Sequence, residues 1–498
     1  MLLRLRRARS LAAKSPSAGG LDAGRFSRDV ATAAFERAAG AHPDELPGAP
    51  GGFAGSGVTA VILAAGRGSR LRVRCKPLAV VGGVTLLERA VATARAAGVA
   101  RTVVVVGSLD GSVATFCRER LRGVEIALAS DSERGNGASV AAGLAHAGGR
   151  CLVMMVDHLH EPSTLERLLA TEGDVVFAVD SQPRFIEIDD ATLVRRATGT
   201  VIAIDKHLPA SDAVEAGLAV CPAQPLVELA ASLRGELEFN RLKQAWLDRG
   251  RRIDTIDIEG AFWADVDTPR DRRRAIRDLV DRYGAKAADG PIARTLNRPL
   301  SKAVSRRLLA TRIAPNAITL ANLALLLLSA LLLALGANAP ALLVIGGLLV
   351  QVSSALDGVD GEIARVSART SQVGEVLDAV CDRYGDLAVL AGAAIAADTP
   401  AAWPWALAAV VANWQLSFLR REHERIAREL PASHVRYQWS RDVRLLVLAI
   451  SCVVMQPLWG LIAAAAVGNL DALRRLVALI TTTRRMSRPP ALGAQTQR

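Results

Sequence analysis

Four aspartates in "LDGVDGEIARVSARTSQVGEVLDAVCD" (Leu356 to Asp382) sit between two long apolar runs. Asp357 and Asp360 are three residues apart, Asp378 and Asp382 four, so on helices each pair shares one face. Four carboxylates gathered at the edge of a bilayer repel one another and cost several kcal/mol each without compensation. Divalent cations supply that compensation, because hard carboxylate oxygens are the ligands that Mg²⁺, Mn²⁺ and Ca²⁺ prefer. Gly361, Ala364 and Gly374 are small where two such helices pack, and Arg365 is placed to hold a phosphate or steady a carboxylate.

A second set of chemical residues lies upstream. "VTAVILAAGRGSRL" is a buried-strand pattern that breaks into a turn at Gly66 and Gly68. Small residues there let backbone N–H groups approach phosphate oxygens, while Arg67 and Arg70 add positive charge. The turn lacks the GK[ST] ending of a P-loop and the spacing of a dinucleotide fold. Further strands are readable at Thr102 to Ser108, Cys151 to His158 and Asp174 to Asp180, with helix-period segments between them. This pattern predicts a doubly wound α/β sheet. Ligands in such sheets sit at the carboxyl ends of strands, where Asp157 falls; a carboxylate there suits Mg²⁺, and equally a helix cap. "GAFWADVDTPRD" offers a partner carboxylate in Asp265 or Asp267, and "ERGNGASVAAGL" opens a helix on Gly135, Gly137 and Ser139, a setting suited to a nucleotide.

These elements need two kinds of scaffold. At 498 residues the chain is too long for one core. Residues 58–285 read as a soluble domain, whereas from about Ala317 Leu, Ala and Val dominate in runs fit to span a bilayer. Six spans are expected, near 317–335, 341–356, 384–396, 403–419, 443–455 and from 459, the last broken by Asn469, Asp471 and two arginines. Before them, residues 286–315 form a basic amphipathic segment with Lys302, Arg306, Arg307 and Arg312, fit to lie on an anionic surface. Residues 1–57 read as a disordered leader and 483–498 as a tail. The formal charge of +12 comes without base-stacking or zinc-finger patterns, so it points to positive-inside loops and not to nucleic acid. The six cysteines show no CxxC, which fits a reducing, cytoplasm-facing protein.

"LAAGRGSRLRVRCKPL" resembles the signature of MobA-like sugar-phosphate nucleotidylyltransferases. "ERGNGASV" with "MMVDHLHEPSTLERLL" narrows the likeness to inositol-1-phosphate cytidylyltransferases. That resemblance implies attack of a phosphate monoester on the α-phosphorus of CTP, with Gly66, Gly68, Gly135, Gly137 and Ser139 at the nucleotide. It gives Arg70 and Lys76 the role of neutralising the departing pyrophosphate, makes Asp157 and Asp265 metal ligands with Asp267 close by, and sets Lys206 at the sugar phosphate. The family usually has Asp-Thr-Gly where this chain reads Glu215-Ala216-Gly217, a departure at the polyol contacts.

The run D-x2-D-G-x2-A-R-x8-G-x3-D-x3-D is complete from Asp357 to Asp382 and is similar to the signature of CDP-alcohol phosphotransferases. It implies metal ligation by Asp357, Asp360, Asp378 and Asp382, with Asp382 also the general base, and a CDP pocket at Gly361, Ala364 and Arg365 with Asn316 and Thr319 near the cytidine. Arg420, Arg421, Arg441 and Arg444 are candidates for the acceptor, or positive-inside residues. Together the halves resemble the bifunctional enzymes that make di-myo-inositol phosphate phosphate. The implied architecture is an α/β doubly wound nucleotidyltransferase domain followed by an all-α six-helix transmembrane domain over 316–482. The implied cofactor is Mg²⁺, or Mn²⁺ in its place. CTP, inositol-1-phosphate and CDP-inositol are the implied ligands, in a multi-pass homodimer of the cell membrane. Alternatives are a lipid or other polyol acceptor, or a first domain that only senses nucleotide.

Overall fold

The computed structural model describes residues 57–66, 68, 70–107, 111–188, 191–284, 293–429 and 439–486. The expected leader up to residue 56, Arg67 and the tail from residue 487 lie outside the described residues. The chain divides into two compact units, Met1–Tyr283 with Arg306–Arg312 and Arg365–Arg369, and Gly284–Ser305 with Ile313–Ala364 and Thr370–Arg498.

The first unit runs β1 (Thr59–Leu63), β2 (Val80–Val81), β3 (Val84–Thr85), α1 (Leu86–Ala96), β4 (Arg101–Gly107), α2 (Gly111–Arg120), β5 (Val124–Ala129), α3 (Asn136–Ala147), β6 (Arg150–Met155), β7 (His158–His160), α4 (Pro162–Ala170), β8 (Val176–Asp180), β9 (Leu193–Ala197), β10 (Thr200–Asp205), β11 (Ala213–Pro222), α5 (Ala223–Ser232), α6 (Phe239–Asp248), β12 (Asp254–Asp257), β13 (Trp263–Asp265) and α7 (Pro269–Tyr283). Nine strands form one sheet in the order β5-β4-β1-β6-β11-β8-β12-β10-β9. β1 and β8 are buried along their whole length, and apart from Thr59 and Asp180 at their ends they are apolar, as strands covered on both faces need.

The sheet is mixed: β5, β4, β1 and β6 are mutually parallel, as are β8 and β12, while β11 runs antiparallel to both β6 and β8. β9 and β10 are joined by residues 198–199 alone, a link that permits only an antiparallel pair, not the crossover a parallel pair needs. The expected strand Cys151 to His158 is also two elements, β6 and β7, separated by a turn that carries Asp157.

The second unit contains most of α8 (Arg298–Leu308), then α9 (Pro315–Leu335), α10 (Pro340–Val366), α11 (Gln372–Ala396), α12 (Ala402–Glu429), α13 (Arg441–Val453) and α14 (Pro457–Met486). Among the described residues, α9 and α10 are long and apolar enough to cross a membrane. Pro315 stands at the start of α9, where its missing N–H costs nothing. One face of α9 buries Leu326, Ala330 and Leu333, while Leu320, Leu327, Leu328, Leu331 and Leu335 are exposed. Glycines on α11 let it close on α9: a Cβ at Gly385 would lie 3.2 Å from Leu326 Cβ, and one at Gly392 3.1 Å from the Ala330 Cα.

Three boundaries differ from expectation. α10 continues ten residues beyond Leu356 to Val366, and α11 starts at Gln372 with Ser371 as its cap, accepting from the Gly374 amide at 3.0 Å. The whole aspartate segment is therefore helical apart from the link at 367–371. α14 is continuous through Asn469 and Asp471. Asn469 Nδ2 donates back to the Ala465 carbonyl at 2.8 Å, and Asp471 pairs with Arg474 and Arg475 at 2.7 and 2.6 Å within the same helix. The basic segment before α9 is not simply a surface helix either. Ser301 and Ser305 of α8 are buried, donating at 2.8 and 2.6 Å to Glu362 of α10, whose other partner is Arg298 at 2.6 Å.

Candidate active sites

In the first unit, register assembles the site. Leu63 of β1 pairs beside Met155 of β6, so the glycine turn after β1 and Asp157 after β6 emerge at the same edge of the sheet. β13 then pairs antiparallel with β7, setting Asp265 opposite His158. Asp157 and Asp267 both accept from the Lys76 ammonium, and Arg70 Nη1 lies 3.4 Å from Asp267. Gly68, at φ +68°, is required here because a Cβ would lie 2.6 Å from Lys76 Cβ. Of the two carboxylates left open by the sequence, Asp267 reaches Lys76, whereas Asp265 reaches His158 Nε2 at 3.7 Å.

Two lobes of one cleft meet at these carboxylates. One, of about 290 Å³, is lined by Gly66, Gly68, Lys76, Gly135 and Ser139; the other, of about 410 Å³, by His158, Lys206, Glu215, Gly217 and Lys243. Arg70, Asp157 and Asp267 line both. Gly137 differs from the nucleotide-facing position expected of it. A Cβ there would lie 2.7 Å from the Leu237 carbonyl oxygen, so this glycine admits backbone packing over the start of α3. Glu215 is buried and paired with Lys243 at 2.5 and 2.6 Å, and the Lys243 ammonium stands 4.2 Å from the Phe239 ring centroid. Lys243 had no sequence signal beyond its place on a helix, whereas His158 follows Asp157 directly.

Electrostatics tie this cluster together. Burial alone would lower the Lys76 pKa, but Asp157 and Asp267 outweigh it and raise it. Asp157 is largely withdrawn from solvent, which would raise its pKa, yet His158 and Lys76 hold its carboxyl below the usual range. Burial pushes Asp265 up to about 6, against the pull of His158 and with the repulsion of Asp157 and Asp267. Asp157 Oδ1 and Asp265 Oδ1 are buried without a hydrogen-bond partner. Buried, unpartnered, hard oxygens fit a divalent cation.

In the second unit, carboxylate oxygens of Asp357, Asp378 and Asp382 lie within 4.8 Å of one another, a donor set that fits the same kind of ion. Asp360 stands beside this trio: its Oδ2 accepts from Thr319 at 2.5 Å and its Oδ1 from the Gly361 amide at 2.5 Å. Arg441 bridges the acids, 2.7 Å from Asp357, 3.1 Å from Asp382 and 3.0 Å from Asp386. Arg441, expected to be an acceptor contact or a positive-inside residue, thus anchors the cluster. Asp386 escaped the motif, although the four-residue step from Asp378 to Asp382 continues to it. Arg420, Arg421, Arg441 and Arg444 line one cavity of about 380 Å³ with Asp378 and Asp382, joined by Arg475. Asn316 reaches the second helix of the motif, where a Cβ on Gly374 would lie 3.2 Å from its Oδ1. Ala364 lies two residues from buried Glu362, and Arg365 donates from Nε to the Tyr283 carbonyl at 3.2 Å.

Comparison with known proteins finds a family for each half of the chain. Residues 60–252 match the MobA-like NTP transferase domain, and residues 312–479 the CDP-alcohol phosphatidyltransferase family. The chain is 42% identical to the bifunctional IPC transferase and DIPP synthase of Rubrobacter xylanophilus over 85% of its own length and 97% of that protein's. Identity to the protein of that name from Aquifex aeolicus is 34%, covering 72% of this chain and 82% of the relative. With that from Thermococcus kodakarensis it is 32%, covering 72% and 81%. A nucleotidyltransferase-like first unit, a helical CDP-alcohol phosphotransferase second unit and this near full-length similarity place the chain in the family of bifunctional IPC transferases and DIPP synthases.

Proposed function

We propose that the first unit joins CTP to inositol-1-phosphate, forming CDP-inositol and pyrophosphate. The second then passes the phosphoinositol group to another inositol-1-phosphate, forming di-myo-inositol phosphate phosphate and CMP. The observation that supports this most is the pair of lobes meeting at Asp157, Asp267 and Arg70, since a reaction between two phosphates needs two pockets sharing one charged junction. In this reading Gly66, Gly68, Gly135 and Ser139 seat the nucleotide. Lys206 and Glu215 face the inositol phosphate. Lys76 and Arg70 counter the charge on the departing pyrophosphate.

At the second site Asp382 takes the proton of the attacking hydroxyl, and Arg441 fixes its carboxylate. Arg420, Arg421, Arg441 and Arg444 hold the acceptor's phosphate; the buried Arg441 Nη2 has no hydrogen-bond partner and is a donor ready for it. Asn316, Thr319, Gly361, Ala364 and Arg365 shape the CDP pocket. Asp157, Asp265 and Asp267 in one unit, and Asp357, Asp360, Asp378 and Asp382 in the other, would hold Mg²⁺, or Mn²⁺ in its place. Such an ion neutralises the phosphate charge that builds on the leaving group. The domains extend over 58–285 and 316–482. Helices α9 to α14 cross the cell membrane as a six-span bundle with both sites on the cytoplasmic side, and two copies pair through it.

Membranes containing the protein, given Mg²⁺, labelled CTP and inositol-1-phosphate, are expected to yield pyrophosphate, CMP and a water-soluble phosphodiester. A labelled product that extracts into organic solvent would instead assign a lipid acceptor. No consumption of CTP would overturn both half-reactions.

A further inference from the structure

His158 occupies a built position inside the acidic cluster of the first unit. Its Nδ1 lies 3.0 Å from the Ala216 carbonyl oxygen. A carbonyl oxygen only accepts, so this bond puts a proton on Nδ1 and, in the neutral ring, leaves the Nε2 lone pair for another partner. Nε2 faces Asp265 Oδ1 at 3.7 Å, and one donor atom each from Asp157, His158 and Asp265 lies within 4.8 Å of the others. A cation held by the two carboxylates would find its third donor in this nitrogen.

The seat of the ring is specific. Gly217 has φ +73°, and a Cβ on it would run into the imidazole, so only glycine lets the ring rest against β11. The rings of Trp263 and His160 flank it, with centroids 5.7 and 6.1 Å away. A backbone carbonyl fixing the far nitrogen of a histidine whose near nitrogen faces carboxylates is how proteins orient metal-bound imidazoles. The unpartnered, buried oxygens of Asp157 and Asp265 are a separate sign of a missing positive partner at the same point.

We propose that His158 Nε2 is a ligand, beside Asp157 and Asp265, of the divalent cation used for cytidylyl transfer. This rests on the function proposed for that cleft. An imidazole nitrogen makes this site better suited to Mn²⁺ or Co²⁺ than the Asp357, Asp378 and Asp382 trio, which offers oxygen alone. One chain would then hold two metal sites of different preference.

Pulsed EPR of the full chain in detergent with Mn²⁺ and CTP, without inositol phosphate, tests the proposal. The expected result is an imidazole nitrogen coupling that changes from ¹⁴N to ¹⁵N when the chain is labelled with ¹⁵N-histidine. It is absent in His158→Gln, whose first site binds Mn²⁺ roughly 10-fold more weakly or worse. Gly217→Ala, which displaces the ring, is expected to lose the coupling too. Mn²⁺ whose binding responds to Asp157→Asn but shows no histidine coupling would overturn the ligand assignment while leaving the proposed function standing. So would a coupling that persists in His158→Gln. Mn²⁺ binding indifferent to Asp157→Asn would overturn the metal-dependent reading of the cleft itself, and this inference with it.

Discussion

The two acidic sites are assembled in opposite ways. The second draws Asp357, Asp360, Asp378 and Asp382 from two consecutive helices, with a distant arginine, Arg441, closing the cluster from 84 residues beyond Asp357. The first brings Lys76 to Asp267 across 191 residues, and depends on two strand registers, Leu63 with Met155 and His158 with Asp265. Helical periodicity can be read along a sequence, because residues three and four apart share a face. Strand register cannot, because it is set by pairing between remote segments. A helix-borne site therefore survives as a local motif, while a strand-borne site is a property of the sheet.

That comparison can be broken site by site. Asp382→Asn is expected to cut CMP release by about 10²- to 10⁴-fold, the usual worth of a general base, while pyrophosphate release from CTP stays as it was. Equal loss of both would mean that the units do not act separately. Lys76→Ala should do the reverse, lowering pyrophosphate release by about 10²- to 10³-fold but sparing transfer when CDP-inositol is supplied. Stopped assays of each half-reaction on the same membranes measure both. Glu362→Ala leaves Arg298 without its buried partner and should destabilise the second unit by about 3–5 kcal/mol. A lowered thermal-denaturation midpoint in detergent, with cytidylyl transfer retained below it, is the expected reading. The smallest effect belongs to Arg444→Ala, which removes one of several arginines around the acceptor cavity. It is expected to raise the KM for the acceptor roughly 10-fold, the worth of one charge-assisted hydrogen bond of about 1.5 kcal/mol, without changing that for CDP-inositol.

Legibility followed the same divide. The aspartate motif and the glycine turn were readable because each is a local pattern whose spacing has a physical reason, whereas Lys76 was reached only through a family resemblance. Among the described residues, helices α9 to α14 follow apolar runs in the sequence, but their ends could not be read from it. Hydropathy marks only the apolar stretch of a helix, whereas α10 and α11 extend beyond theirs as polar helical turns that carry the aspartates. Glu362 shows why burial of a charge escapes sequence reading. Inside the motif it looks like one more acid, and only the approach of Ser301, Ser305 and Arg298 from α8 makes it the anchor of that helix. The antiparallel insertion of β11, the Glu215–Lys243 pair and the seat of His158 against Gly217 all depend on which strands become neighbours. Asp386 could have been found, since it lies one helical turn beyond Asp382 on the same face.

Production of a CDP-linked intermediate at the first site and its consumption at the second are followed by giving membranes CTP labelled with ³²P at the α-phosphate together with inositol-1-phosphate labelled with ³³P. Attack on the α-phosphorus and later release of CMP predict that ³²P passes through CDP-inositol and ends in CMP, while ³³P ends in a soluble phosphodiester that contains no ³²P. Label from CTP in the phosphodiester, or CDP-inositol that accumulates without forming any diester, would contradict this order of steps.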